Sequence, residues 1–354
     1  TNAGAAYIFE RSSGGVLSET KIVADDASAY GGFGGSVAID GDYAVIGCPT
    51  DSWTGTAYIF KRDGNGVWGQ DQKILASDKN SQDKFGWSVA ISGDRVIIGT
   101  KLDDFSGASD AGSAYIFERG AVTTGEWTAT QTQKIFASDQ TASDHFGVSV
   151  SISGDYAIVG AVLANVGSYA NGGAAYVFKR DSITGIWAQT HKLLHMEESL
   201  FATTSNAYNF GFSVSISGDY AIVGAYSAIY LGISSGRAHI FHLDTYGDWN
   251  EQQIITSDNA GAGDQFGYSV SISGDYVIVG ARWEDTGLSN AGSAYIFKRT
   301  GTTWAQTRHI QATDRYANGY FGDTVAIGSN HAAVGAHKHD SATGSVYIVT
   351  PTNS

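Results

Sequence analysis

Three sets of side chains in this 354-residue chain have the types and spacing for chemistry. The first is a series of carboxylate pairs standing just ahead of Phe-Gly dipeptides. Asp78 and Asp83 precede Phe85, Asp139 and Asp144 precede Phe146, and Asp258 and Asp264 precede Phe266. Two carboxylates on a short loop can help hold calcium, a cation that takes about six to eight oxygen ligands. They can equally accept backbone N–H groups and fix the loop, so both readings stand. Asp26 and Asp314 lack a second partner, and the corresponding places before Phe210 hold Thr203 and Tyr208.

The second set is aromatic. Trp53, Phe105, Tyr230 and Trp283 fall in long variable loops, where exposed rings stack on sugars or anchor a protein partner. Rings that plug the core beneath a loop would look the same. The third set is His337, His339 and Asp340, with His331 nearby. Alternating histidines can bind a metal, and a solvated loop accounts for them as well. No nucleophile–base pair, phosphate loop or zinc motif recurs elsewhere. No catalytic residue is therefore assigned and no cofactor is required, calcium remaining the one candidate.

The elements that position these residues repeat. Copies of a phrase of the type F-G-x-S-V-x-I-S-G-D-Y-x-I-V-G-A begin at Phe33, Phe85, Phe146, Phe210, Phe266 and Phe321, about 58 residues apart on average. In the fifth copy Phe266, Tyr268, Val270 and Ile272 alternate with small polar residues, the period-2 pattern of a strand. Ser273-Gly274-Asp275 is a tight hairpin turn, and Tyr276 to Val279 is a continuous apolar run that suits a strand buried on both faces. A third strand follows at Ser293 to Lys298 and a fourth at Trp304 to Ala312. Fourth strands open with Trp68, Trp127, Trp187, Trp249 and Trp304, whose fixed place favours packing over ligand stacking.

Composition narrows the partners. The net charge of -14 makes nucleic acid a poor ligand, since phosphate backbones need clustered Lys and Arg. No apolar run is long enough for membrane insertion. A single cysteine, Cys48, excludes an internal disulfide and sits at the end of an apolar run as a buried thiol. Thr1 opens directly into repeat-like sequence, as expected of a mature or trimmed exported product.

With the Phe-Gly half and a Gly-Ala half (Gly160-Ala161, Gly224-Ala225, Gly280-Ala281, Gly335-Ala336) both in view, the chain resembles the FG-GAP repeat family, whose units build the integrin α-subunit propeller and many bacterial surface proteins. The resemblance implies an all-β fold: a β-propeller of four-stranded antiparallel blades, six in number, with seven as the alternative. It does not bring the family's calcium loop with it. The hairpins here carry only Asp42, Asp94, Asp155, Asp219 or Asp275, too few oxygens for that ion.

One domain over residues 1–354 is expected, with residues 1–32 supplying an N-terminal third-type and fourth-type strand. The fourth-type strand would complete the last blade and close the ring. That leaves Tyr7, Ile8 and Phe9 as a surplus strand, free to dock on a neighbouring molecule. The functional expectation is an extracellular or cell-surface structural or adhesive module, not an enzyme, that self-associates or binds protein or glycan. A lectin using the rim aromatics is the alternative, and a hydrolase or lyase comes third.

Overall fold

The computed structural model describes residues 3–12, 15, 17–120, 126–128, 130–167, 170–195, 208–230, 232–339 and 344–352. The fold is all-β, a six-bladed propeller with mostly four-stranded antiparallel blades. In the fifth blade Phe266–Ser273, Tyr276–Ala281, Ser293–Thr300 and Thr303–Ile310 pair in sequence order. Its second and third strands are almost wholly buried, as their unbroken apolar runs require. By its contacts the chain forms two compact units, residues 1–155 with 180–187, and residues 156–179 with 188–354.

The repeated phrase is explained by how neighbouring blades approach within a unit. A side-chain carbon on Gly280 would lie 1.9 Å from the Gly322 carbonyl oxygen, and one on Gly99 would lie 2.1 Å from that of Gly147. Only glycine admits such an approach. The serine of each phrase fastens the same contact, with Ser269 donating to the Gly322 carbonyl at 2.8 Å and Ser88 to that of Gly147 at 2.9 Å. Phe266 is fully buried, tilted against Tyr295 and edge-on to Phe297. The hairpin aspartates Asp42, Asp94 and Asp275 take the guanidinium groups of Arg62, Arg119 and Arg299 at the ends of third strands. All five fourth-strand tryptophans are buried, so packing is their role.

The first unit opens differently from the expected closure. Leu17–Ile22 pairs with Ala6–Arg11 in a two-stranded sheet, and the last blade, Phe321–Ile327, Ala332–Ala336 and Ser345–Val349, has three strands. Pairing within a short hairpin costs little loop-closure entropy, which favours the local partner over the distant one. Ile8 is buried and joins Ile22, Phe33, Tyr58, Phe60 and Trp68 in one core cluster. Tyr7 and Phe9, on the other face, are about half exposed. The strand holding Tyr7, Ile8 and Phe9 thus pairs with its own hairpin neighbour and contributes Ile8 to its own unit's core.

Candidate functional site

Two positions in every repeat vary while the frame around them does not: the residue after Phe-Gly and the residue after Gly-Ala. In the second unit these are Phe212 and Tyr226, Tyr268 and Arg282, and Asp323 and His337. The backbone sets each pair side by side. Phe266 is the register partner of Ala281, and a bulge follows it, so Tyr268 and Arg282 leave the ladder together. Phe321 and Ala336 do the same for Asp323 and His337.

The three pairs merge into one cluster. Phe212 lies 4.8 Å from Tyr226 and 4.7 Å from Tyr268, ring centre to ring centre. The Arg282 guanidinium sits 3.5 Å above the Tyr268 ring, a cation–π contact. Its Nε donates to Gln265 at 2.7 Å and its Nη1 to Asp323 Oδ1 at 3.2 Å. The other carboxylate oxygen, Oδ2, is 3.0 Å from His337 Nδ1. Tyr320 stacks on the His337 ring at 5.3 Å, and Lys338 covers Tyr320. Arg282 and Asp323 are mostly buried, at 21% and 17% side-chain exposure, whereas His337 is 47% exposed. Burial pushes the Tyr268 phenol up, against the pull of Arg282.

This arrangement has a clear chemical capacity. With Nδ1–H donated to Asp323, the lone pair of the half-exposed His337 ring falls on Nε2. A base held in one orientation by a carboxylate, itself held by an arginine, can take a proton from water. The rings of Phe212, Tyr226 and Tyr268, set edge-on or tilted to one another, add an apolar side to the cluster.

A second histidine cluster in the same unit lacks that capacity. His239 is 2% exposed and its Nδ1 lies 2.6 Å from Glu251. The cavity it shares with His195, Tyr208, Ala225, Ala228 and Arg237 is about 10 Å³, room for roughly one water molecule. It cannot admit a substrate.

The residues singled out from sequence are distributed as follows. Asp83, Asp144 and Asp264 are buried turn carboxylates, accepting the backbone N–H of Asn80, Thr141 and Gly261 respectively. Burial pushes Asp83 up to about 6 and also raises Asp264. Asp78 instead accepts from the Tyr115 hydroxyl at 2.8 Å and Lys134 at 2.7 Å. The fifth repeat gives the tyrosine contact to Asn259 rather than Asp258, Tyr295 donating at 2.9 Å. Asp139 occupies the place of Asp78 in the third repeat. Among the described residues no three His, Cys, Asp or Glu side chains converge.

Of the rim aromatics, Trp283 borders the new cluster, with Arg282 5.2 Å over its ring. Trp53, in a short turn at Asp51–Trp53, is 73% exposed, and Phe105 stacks on Phe136 at 4.1 Å; both belong to the first unit. Tyr230 lies in a small two-stranded ladder, paired with Ile233. His337 and His339 part company, His339 turning to Asp314 and Ser345. Asp340 lies outside the described residues. Sequence reasoning missed Arg282, Asp323, Tyr268, Tyr226 and Phe212. The available signal was the variable place in F-G-x and the place after Gly-Ala.

The FG-GAP repeat model matches residues 17–60, 68–117, 129–178, 198–241, 249–297 and 304–349. The chain belongs to the FG-GAP repeat family. No curated protein sequence matches it. Among solved structures, this FG-GAP repeat protein is similar to a candidate 6-phosphogluconolactonase of Bacteroides uniformis, with TM-score 0.56 and 14% identity over 97% of this chain and 92% of that one. It is also similar to a candidate 6-phosphogluconolactonase of Bacteroides fragilis, with TM-score 0.53 and 12% identity over 97% and 90% of the two chains. At such identities the likeness is one of fold.

These findings correct the expectation of an integrin-like module. The two propellers named above, which resemble this one along nearly its whole length, are candidate lactonases. The adhesive or structural role, the lectin alternative, the cell-surface setting with protein or glycan partners, the self-association and the non-enzyme assignment are withdrawn together. The surface role rested on the integrin-like resemblance, the lectin alternative on the rim aromatics and the non-enzyme assignment on the lack of a recurring catalytic motif. Self-association rested on the surplus strand, whose Ile8 is in the core. Among the described residues no helix is long and apolar enough to cross a membrane.

Proposed function

We propose that this chain is a hydrolase acting on a lactone or similar ester of a small ring-shaped molecule. The observation that carries the reading is the run of contacts Arg282–Asp323–His337 beside the rings of Tyr268, Tyr226 and Phe212. The fold likeness to candidate lactonases supports it.

In the proposed reaction His337 Nε2 removes a proton from a water molecule as that water attacks the acyl carbon. Asp323 stabilises the imidazolium that forms. An Arg282 N–H not used by Gln265 or Asp323 donates to the developing oxyanion. Collapse of the tetrahedral intermediate breaks the ring C–O bond, and His337 returns its proton to the leaving alkoxide. One lactone and one water give one hydroxy acid, with no redox change and no cofactor in the balance.

The test is acid release from a panel of sugar lactones in a pH-stat, with spontaneous opening subtracted. Turnover that is lost in His337→Gln, with the thermal midpoint unchanged, is expected. A protein inactive on every lactone, or a His337→Gln variant as active as the parent, would overturn the reading.

A further inference from the structure

The pair of positions that holds Gln265 and Arg282 in the fifth repeat, and Tyr320 and His337 in the sixth, holds Lys84 and Lys101 in the second. Phe85 and Thr100 are register partners, so the two lysines face each other one step beyond the ladder. In the fifth repeat the facing side chains hydrogen-bond, and in the sixth they stack. Two like charges directly opposite are instead destabilising.

A third base joins them. His145 precedes Phe146, and the Gly147 carbonyl of that repeat rests against Gly99, two residues before Lys101. Lys101 lies 3.1 Å above the Trp87 ring, which shields one side of its ammonium. Burial, with Lys84 adding to it, pushes Lys101 down to about 8, and burial and Lys101 lower His145. Asp110 and Asp144 are near His145, and their charges oppose that lowering. Ion pairs of the first unit join Lys73 to Asp26 and Asp51, and Lys134 to Asp78 and Asp103. Among the described residues Lys84, Lys101 and His145 form none, although the chain carries a net charge of -14.

We propose that Lys84, Lys101 and His145, over the floor of Trp87, bind the phosphate group of a small molecule. A dianion between the lysines turns their repulsion into two charge-assisted hydrogen bonds, and lysine suits phosphate as a compact point charge. The site lies in the first unit and needs no turnover, so it stands apart from the hydrolase reading.

Isothermal titration calorimetry of the full chain with inorganic phosphate tests it, with acetate added at equal ionic strength as the control anion. Saturable one-to-one binding is expected, about tenfold or more weaker in Lys101→Met and in Lys84→Met. It should be retained in Lys101→Arg and in His337→Gln. A sugar phosphate that binds where the same sugar without phosphate does not would place the source in a phosphorylated metabolite; equal affinity for inorganic phosphate would place it in the free ion. Lys101→Arg also guards against misfolding, since it keeps the charge. Absence of saturable binding in the parent, equal displacement by acetate, or Lys101→Met binding as the parent does, overturns the proposal.

Discussion

The second and fifth repeats place the same backbone around opposite electrostatics. In the fifth, Gln265 and Asp323 both accept from Arg282, so its charge is satisfied within the protein. In the second, the facing residue is a second lysine, and among the described residues the charge of Lys101 is met by the Trp87 ring. The contrast teaches that the repeat frame is neutral toward chemistry. Its glycines and phenylalanines fix where two side chains emerge, and the identity of those two decides how far their charge is met within the protein.

The strongest way to break this comparison is to exchange its functional halves. His337→Gln should lower the rate constant of lactone hydrolysis by about 10²–10⁴-fold, measured in the pH-stat, whereas Lys101→Met at the equivalent place should leave it unchanged. Equal losses in both variants would mean that the two positions do not differ in role.

The frame itself is tested by Gly280→Ala. The added carbon would meet the Gly322 carbonyl at 1.9 Å, a backbone atom that cannot swing aside. A loss of about 1–3 kcal/mol is expected from overpacking, read by urea denaturation. Gly274→Ala, in the open hairpin turn with φ +55, should cost only about 1 kcal/mol, as residues other than glycine do there.

A pH series sharpens the account of the second repeat. The Asp83 carboxyl is raised to about 6 from an ordinary value of 3.8. A carboxyl raised by folding favours the folded state while protonated, so its contribution is present below about 4 and is lost as pH rises through about 6. Asp83→Asn should flatten the fall in stability across that window, and Asp264→Asn should act in the same direction. An unchanged slope in denaturation midpoints would place the titrating groups elsewhere.

The smallest effect concerns the lysine pair. Lys84→Gln should stabilise the protein by about 0.2–1 kcal/mol in phosphate-free buffer, by removing like charges from facing positions. Phosphate should narrow the difference, because it stabilises the parent more.

The fold was legible because each repeat states it again. Phe-Gly, the hairpin at Gly274-Asp275 and the buried run from Tyr276 to Ala281 each recur in register with the strands the structure contains. Of the candidate cluster only His337 was legible, as part of a histidine-rich stretch; Tyr268, Arg282 and Asp323 occupy places where the copies disagree, and recurrence does not single them out. The N-terminal strand was misread for the complementary reason: counting strand types assigned Leu17–Ile22 to a distant blade, while a hairpin with Ala6–Arg11 closes a far shorter loop.

By itself, then, the sequence determined the repeat, the blades and their strand order, since alternation, glycine placement and periodicity are local properties of the chain. Only the tertiary structure decided which variable residues meet. Tyr268 reaches Phe212, and Asp323 reaches Arg282, across residues one repeat apart. What brings them together is the approach of glycine backbones such as Gly280 to Gly322, closer than any side chain would allow.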